Sequence, residues 1–119
     1  MKQFRFLEWK VYKDSQELFL IIIKTLKKLP QEHRYEIGSQ VSRSALSVIL
    51  NIAEGSGKVS DKEMNRYFEI SLGSLYETLA SIDTLKEMKI VNETEWQEIF
   101  QRISEIARQI GGFKKKLVK

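Results

Sequence analysis

An all-α, antiparallel up-down-up-down four-helix bundle is the architecture that three features of this 119-residue chain predict. Apolar residues recur at steps of three and four through four separate stretches, the spacing that gathers them on one face of a helix. Pro30 is the sole proline and there are six glycines, too little turn chemistry for an all-β chain with regularly spaced turns. The stretches are joined by short links, which favour antiparallel neighbours. With 42% hydrophobic and 30% charged residues the composition is that of a folded chain, and residues 1–119 read as one domain.

The first helix is expected from about Phe6 to Lys28. Trp9, Val11, Leu18, Phe19, Ile22 and Leu26 supply its apolar face, and Lys10, Asp14, Glu17, Lys24 and Lys28 its solvated one. The run Leu18–Ile23 is too apolar for one buried stripe, so either it overspills the core or part of it meets another subunit. Leu29-Pro30 ends the helix, because proline disfavours helical geometry in the residue before it. Gln31 to Tyr35 reads as a link.

The second helix, centred on Gln40 to Gly55, organises the rest. Val41, Ala45, Val48 and Ile52 fall on one face, while Leu46, Ile49, Leu50 and Ala53 cover most of the remaining circumference. A helix that is apolar nearly all round is normally buried on most sides, which a chain of this length seldom achieves alone. Self-association is the natural expectation. Gln40, Arg43, Ser47, Asn51 and Glu54 make one narrow polar stripe along it, and Gly55-Ser56-Gly57 is expected to supply a left-handed cap.

Ser60-Asp61-Lys62-Glu63 reads as a capping box opening a third helix. Phe68, Leu72, Leu75, Leu79, Ile82 and Leu85 carry it to about Met88, which makes it the longest of the four. Within it, Gly73 costs roughly 1 kcal/mol relative to alanine, so a close approach to the second helix near Ser47 and Asn51 is expected there. Asn92 and Glu95 repeat the capping logic for a fourth helix. Its stripe of Trp96, Ile99, Ile103, Ile106, Ile110, Phe113 and Leu117 suits bundle packing, with a bend or fray expected at Gly111-Gly112.

Catalytic chemistry finds little to work with. The chain has no cysteine, its single histidine is His33, and the Glu-x-x-His pairs of a two-metal bundle are lacking. Serines 44, 47, 71 and 74 have no base nearby in sequence and read as packing positions. Gly55-Ser56-Gly57-Lys58 follows a helix rather than a strand, which weakens its likeness to a phosphate loop. A non-enzymatic chain without cofactors or metal is expected. The basic start lacks a long apolar core and the longest apolar run is six residues against roughly 20 for a membrane span, so a cytoplasmic location is the default.

Two candidate sites remain. Arg43, Asn51, Glu54 and Glu77, if they converge, would form a buried polar network, either a binding site or, the preferred reading, a device that fixes helix register and subunit orientation. The excess of 20 Lys and Arg over 16 Asp and Glu leaves +4 per chain. Assembly would multiply that field, and Lys24, Lys27, Lys28, Lys114, Lys115 and Lys116 are the residues expected to meet phosphate backbones.

The motifs also resemble a family. Gln40, Arg43 and Ser47 followed by Asn51-Ile52-Ala53-Glu54-Gly55 are similar to the signature of the bacterial four-helix-bundle proteins associated with intervening sequences in large-subunit rRNA genes. Gly73-Ser74-Leu75-Tyr76-Glu77 and the early Trp9-Lys10-Val11-Tyr12…Glu17-Leu18 resemble two further motifs of that family, with departures at Tyr12, Ser42 and Ile49. Losing an arginine at position 42 bears on the charge of the polar stripe. The resemblance implies a four-helix protomer assembled as a homopentamer. Similar members include the accessory protein of diversity-generating retroelements, which partners a reverse transcriptase and binds nucleic acid through a basic surface. The expected function is therefore a homo-oligomeric scaffold for structured RNA or DNA, with a nucleic-acid enzyme as a further candidate partner; the alternative is a protein-binding assembly module.

Overall fold

In the computed structural model, which describes residues 3–117, the chain is all-α, a bundle 44 × 22 × 22 Å along its principal axes. A 3-10 turn at Arg5–Glu8 leads into α1 (Lys10–Leu26). A single-turn α2 (Gln31–Arg34) precedes α3 (Glu36–Ser56), α4 (Asp61–Glu87) and α5 (Glu93–Leu117). The link expected at Gln31 to Tyr35 is therefore itself helical. Arg34 uses it as a strut, donating to the carbonyls of Lys27, the C-cap of α1, and of Leu29 just beyond it, at 3.3 and 3.2 Å.

The four long helices close into a square in which α1 touches α3 and α5, and α4 touches the same two from the opposite corner. Val11, Leu18, Ile22, Val48, Ile52, Phe68, Leu75, Ile82, Ile99, Ile106 and Ile110 fill the centre, each at most 2% exposed. These are the inward members of the three-and-four repeats. Burying each contributes roughly 1.5–3 kcal/mol of transfer free energy. Trp9, Phe68 and Phe113 plug one end, with ring centroids 4.8 to 6.3 Å apart, and tie α1, α4 and α5 together.

The ends of the helices divide the expectations. At Asn92 the capping box is complete: the Glu95 N–H donates to Asn92 Oδ1 at 2.8 Å, and the Asn92 N–H donates to Glu95 Oε1 at 2.9 Å. At Ser60 only the serine half forms, accepting from the Glu63 N–H at 3.1 Å, while the Glu63 carboxylate lies 3.9 Å from Arg66.

The glycines depart furthest. Among the described residues none takes a positive φ, and the residue that does is Lys89, at 67°. Lys89 closes α4 in a Schellman turn, its N–H donating to the Lys86 carbonyl and that of Ile90 to the Leu85 carbonyl. Gly55 lies inside the last turn of α3, which runs on to Ser56, so it is no left-handed cap. α5 continues through Gly111-Gly112 without interruption, held on either side by buried Ile110 and the Phe113 of the aromatic plug. Among the described residues no helix is long and apolar enough to cross a membrane.

Candidate functional site

Where α3 meets α4, small hydroxyls replace the branched residues of the core and let the backbones come close. The Ser44 and Thr78 hydroxyls are hydrogen-bonded at 2.9 Å, Ser71 donates to the Val48 carbonyl at 2.8 Å, and Ser74 donates to Ser47 at 2.8 Å. Asn51 turns back on its own helix, donating to the Ser47 carbonyl and hydroxyl at 2.8 and 3.0 Å. As residue numbers rise along α3 from 44 to 48 the partners on α4 fall from 78 to 71, so this pair of helices runs antiparallel. A Cβ at Gly55 would sit 2.9 Å from Tyr67 Cβ, closer than side chains tolerate. Gly55 is thus the glycine of close approach. Gly73, expected in that role, is exposed and a Cβ there would meet nothing within 4 Å; the α3-facing positions belong to its neighbours Ser71 and Ser74.

The polar stripe does not converge as a buried network. Arg43, Glu54 and Glu77 are all exposed. Gln40 donates to Glu77 at 3.2 Å, Glu54 stands 3.8 Å from Lys58, and Arg43 has no ion-pair partner among the described residues. Arg43, Glu54 and Glu77 lie along the rim of the α3–α4 contact, exposed to solvent, while Ser47 enters the hydroxyl seam. Ser47, Gly55 and Ser74 enter the contact, Gln40 and Glu77 bridge the two helices at its exposed rim, Asn51 bonds back to its own helix, and Arg43, Glu54 and Gly73 stay outside it. Thr78, fully buried in the seam, was not singled out from the sequence. Its signal was its place one turn beyond Ser74, which continues the small polar face begun at Ser71.

The basic residues separate into two groups at opposite ends. Lys24, Lys27 and Lys28 lie at the C-terminal end of α1, where Lys28 is ion-paired with Glu95 at the start of α5. Lys114, Lys115 and Lys116 lie at the other end of α5, with Lys114 3.6 Å from Glu69 of α4. That second end also carries Lys58, Lys62 and Arg66 from around the start of α4, Lys58 lying 4.8 Å over the Tyr67 ring. Arg5, which donates to the Ser56 carbonyl, is there too. Lys62, Lys115 and Lys116 are exposed and hold no ion pair among the described residues. The six candidate lysines therefore do not form one patch on a single chain.

A third polar region, unforeseen, runs along α1 and α5. Lys10 and Gln109 both donate to Asp14, at 2.6 and 2.8 Å, and Arg102 pairs with Glu17 at 3.1 Å. Burial pushes the Asp14 carboxyl up, but those two hydrogen bonds and the charges of Lys10 and Arg102 outweigh it and hold the group below its ordinary value. Glu95 is held low by the Asn92 backbone N–H first and by Lys28 second. An open apolar cleft of about 710 Å³ lies at the α1–α3 corner, with Ile23, Leu26, Tyr35, Gly38 and Ser42 in its walls.

A family model described as 23S rRNA-intervening sequence protein matches residues 8–112, which takes in the four long helices apart from the last turn of α5. No curated protein matches the chain.

Proposed function

This chain belongs to the 23S rRNA-intervening sequence protein family, and from that membership we propose that it is a non-enzymatic, self-associating helical scaffold that binds structured RNA or DNA in the bacterial cytoplasm. The observation that carries the reading is the basic end of the bundle. Lys62, Lys115 and Lys116 are exposed there without acidic partners, among further cations on Lys58, Arg66 and Lys114. Lys58, Arg66 and Lys114 are each paired with a carboxylate of the chain, Glu54, Glu63 and Glu69, whereas Lys62, Lys115 and Lys116 are left to gain from phosphates, whose counterions they release. Repetition of that end in a pentamer would present a ring of positive charge. A nucleic-acid enzyme is a fitting second partner for such a scaffold.

A protein-binding assembly module is the alternative, favoured by Leu20, Leu50 and Tyr76, which are 67%, 55% and 68% exposed. Titration of a labelled RNA hairpin and a DNA duplex at several salt concentrations separates the two. The scaffold reading expects affinity to fall steeply with salt and Lys115→Glu/Lys116→Glu to weaken binding at least tenfold at physiological salt. Absence of binding at low salt would leave the assembly module as the function.

A further inference from the structure

Resting on the self-association reading, we propose that neighbouring copies join head to tail, the outer seam of α1 in one copy lying parallel along the outer seam of α4 in the next. Two stripes, neither used inside the chain, carry this. On α1, Lys13, Glu17, Leu20, Lys24 and Lys27 are exposed at steps of four and three, the spacing of a helix-packing seam. On α4, Gly73, Tyr76, Ala80, Asp83 and Glu87 are exposed at the same alternation. Each seam has one large apolar residue in water, Leu20 and Tyr76, and the α4 seam has two small residues beside its tyrosine.

Charge selects the pairing. Lys13, Lys24 and Lys27 hold no ion pair within the described residues, and neither do Asp83 and Glu87, whereas Glu17 is taken by Arg102. The α1 seam is thus free to act as a cation and the α4 seam as an anion. A parallel symmetric contact of α1 with α1 would set each lysine against its own copy, and an antiparallel one about Leu20 would set Lys13 against Lys27 and reach attraction only through Glu17, which Arg102 already holds. Laying α1 parallel to α4 with Leu20 against Ala80 sets Lys24 beside Asp83, Lys27 beside Glu87, Lys13 beside Gly73 and Glu17 beside Tyr76. The antiparallel alignment through the same pair sets Glu17 against Asp83.

Direction and placement fit as well. α5 runs opposite to α1, through Asp14–Gln109 and Glu17–Arg102, and opposite to α4, through Lys86–Glu93 and Glu69–Lys114, so α1 and α4 point the same way. They occupy opposite corners of the square. A copy can therefore give its α1 to one neighbour and its α4 to the other while all long axes stay aligned, a head-to-tail arrangement that makes a ring where the rotation between copies closes and an open array where it does not. Lys24 and Lys27 then belong to the subunit contact, and phosphate contact is left to the Lys115–Lys116 end.

The test is light scattering on a sizing column with the full chain. Wild type is expected at a multiple of 14.0 kDa. Lys24→Glu/Lys27→Glu and Asp83→Lys/Glu87→Lys are each expected to weaken assembly at least tenfold with helicity unchanged by circular dichroism, and the combined fourfold swap to restore it. Because the chain lacks cysteine, Leu20→Cys/Ala80→Cys is expected to give an interchain disulfide ladder on mild oxidation. An assembled wild type whose mass ignores both charge reversals, with no ladder, overturns the seam pairing and leaves self-association standing. A monomeric wild type overturns self-association itself and the pairing with it.

Discussion

By local backbone preference alone, Gly55 inside a helix and Lys89 at positive φ would exchange residue types, yet only Lys89 stands to gain. A lysine in left-handed geometry is strained by its Cβ, at roughly 1–2 kcal/mol, while its α4 cap bonds hold it there. Lys89→Gly should relieve that strain and raise stability by about 1 kcal/mol. In the same urea series Gly55→Ala should lower stability by about 1–3 kcal/mol, because the new methyl meets the rigid Cβ of Tyr67 rather than a flexible tip. Equal midpoints for the two variants would sink the argument. From sequence, a glycine needed for left-handed geometry and one needed for proximity look alike, since proximity depends on a residue twelve positions away on another helix.

Elements were legible where their causes are local. Both bonds of the Asn92 box join residues three apart, and the inward faces of all four long helices follow from spacing alone. The rotation of each helix about its axis was only half legible. Periodicity marks Gln40, Arg43, Ser47, Asn51 and Glu54 as one stripe, but whether α4 covers that stripe or skirts it is decided by where Ser44, Val48 and Gly55 let α4 approach. The α1–α5 seam was invisible for the same reason, as Asp14 and Gln109 are 95 residues apart. Its electrostatics can be read from pH. Asp14 titrates below its unfolded value, so its contribution is complete above pH about 4 and is lost as pH falls through the lower folded value. Asp14→Asn should cost about 1 kcal/mol or less at neutral pH, since the pair is partly exposed, and should flatten the acid side of the stability profile. A variant whose acid profile matches wild type would show that the seam contributes nothing.

At the scale of the molecule, the separation of the two lysine groups matters more than the net +4. A 44 Å bundle puts them at opposite poles, so each can be reversed without disturbing the other. Lys115→Glu/Lys116→Glu is expected to weaken nucleic-acid binding at least tenfold in a protein that still assembles, and Lys24→Glu/Lys27→Glu to weaken assembly while the separated copies keep a reduced, salt-sensitive affinity. The composition gives the sum of these charges and is silent about their poles. Order of formation follows from the square of helices. Three of its four sides join helices adjacent along the chain or separated by one short turn; the α1–α5 side alone must close a loop of nearly the whole protein. Local contacts form cheaply and that long loop is costly, so the α3–α4 hairpin should be structured in the folding transition state while the α1–α5 seam zips up afterwards. In stopped-flow chevrons, Ser71→Ala should then slow folding, whereas Asp14→Asn should leave the folding arm unmoved and speed unfolding.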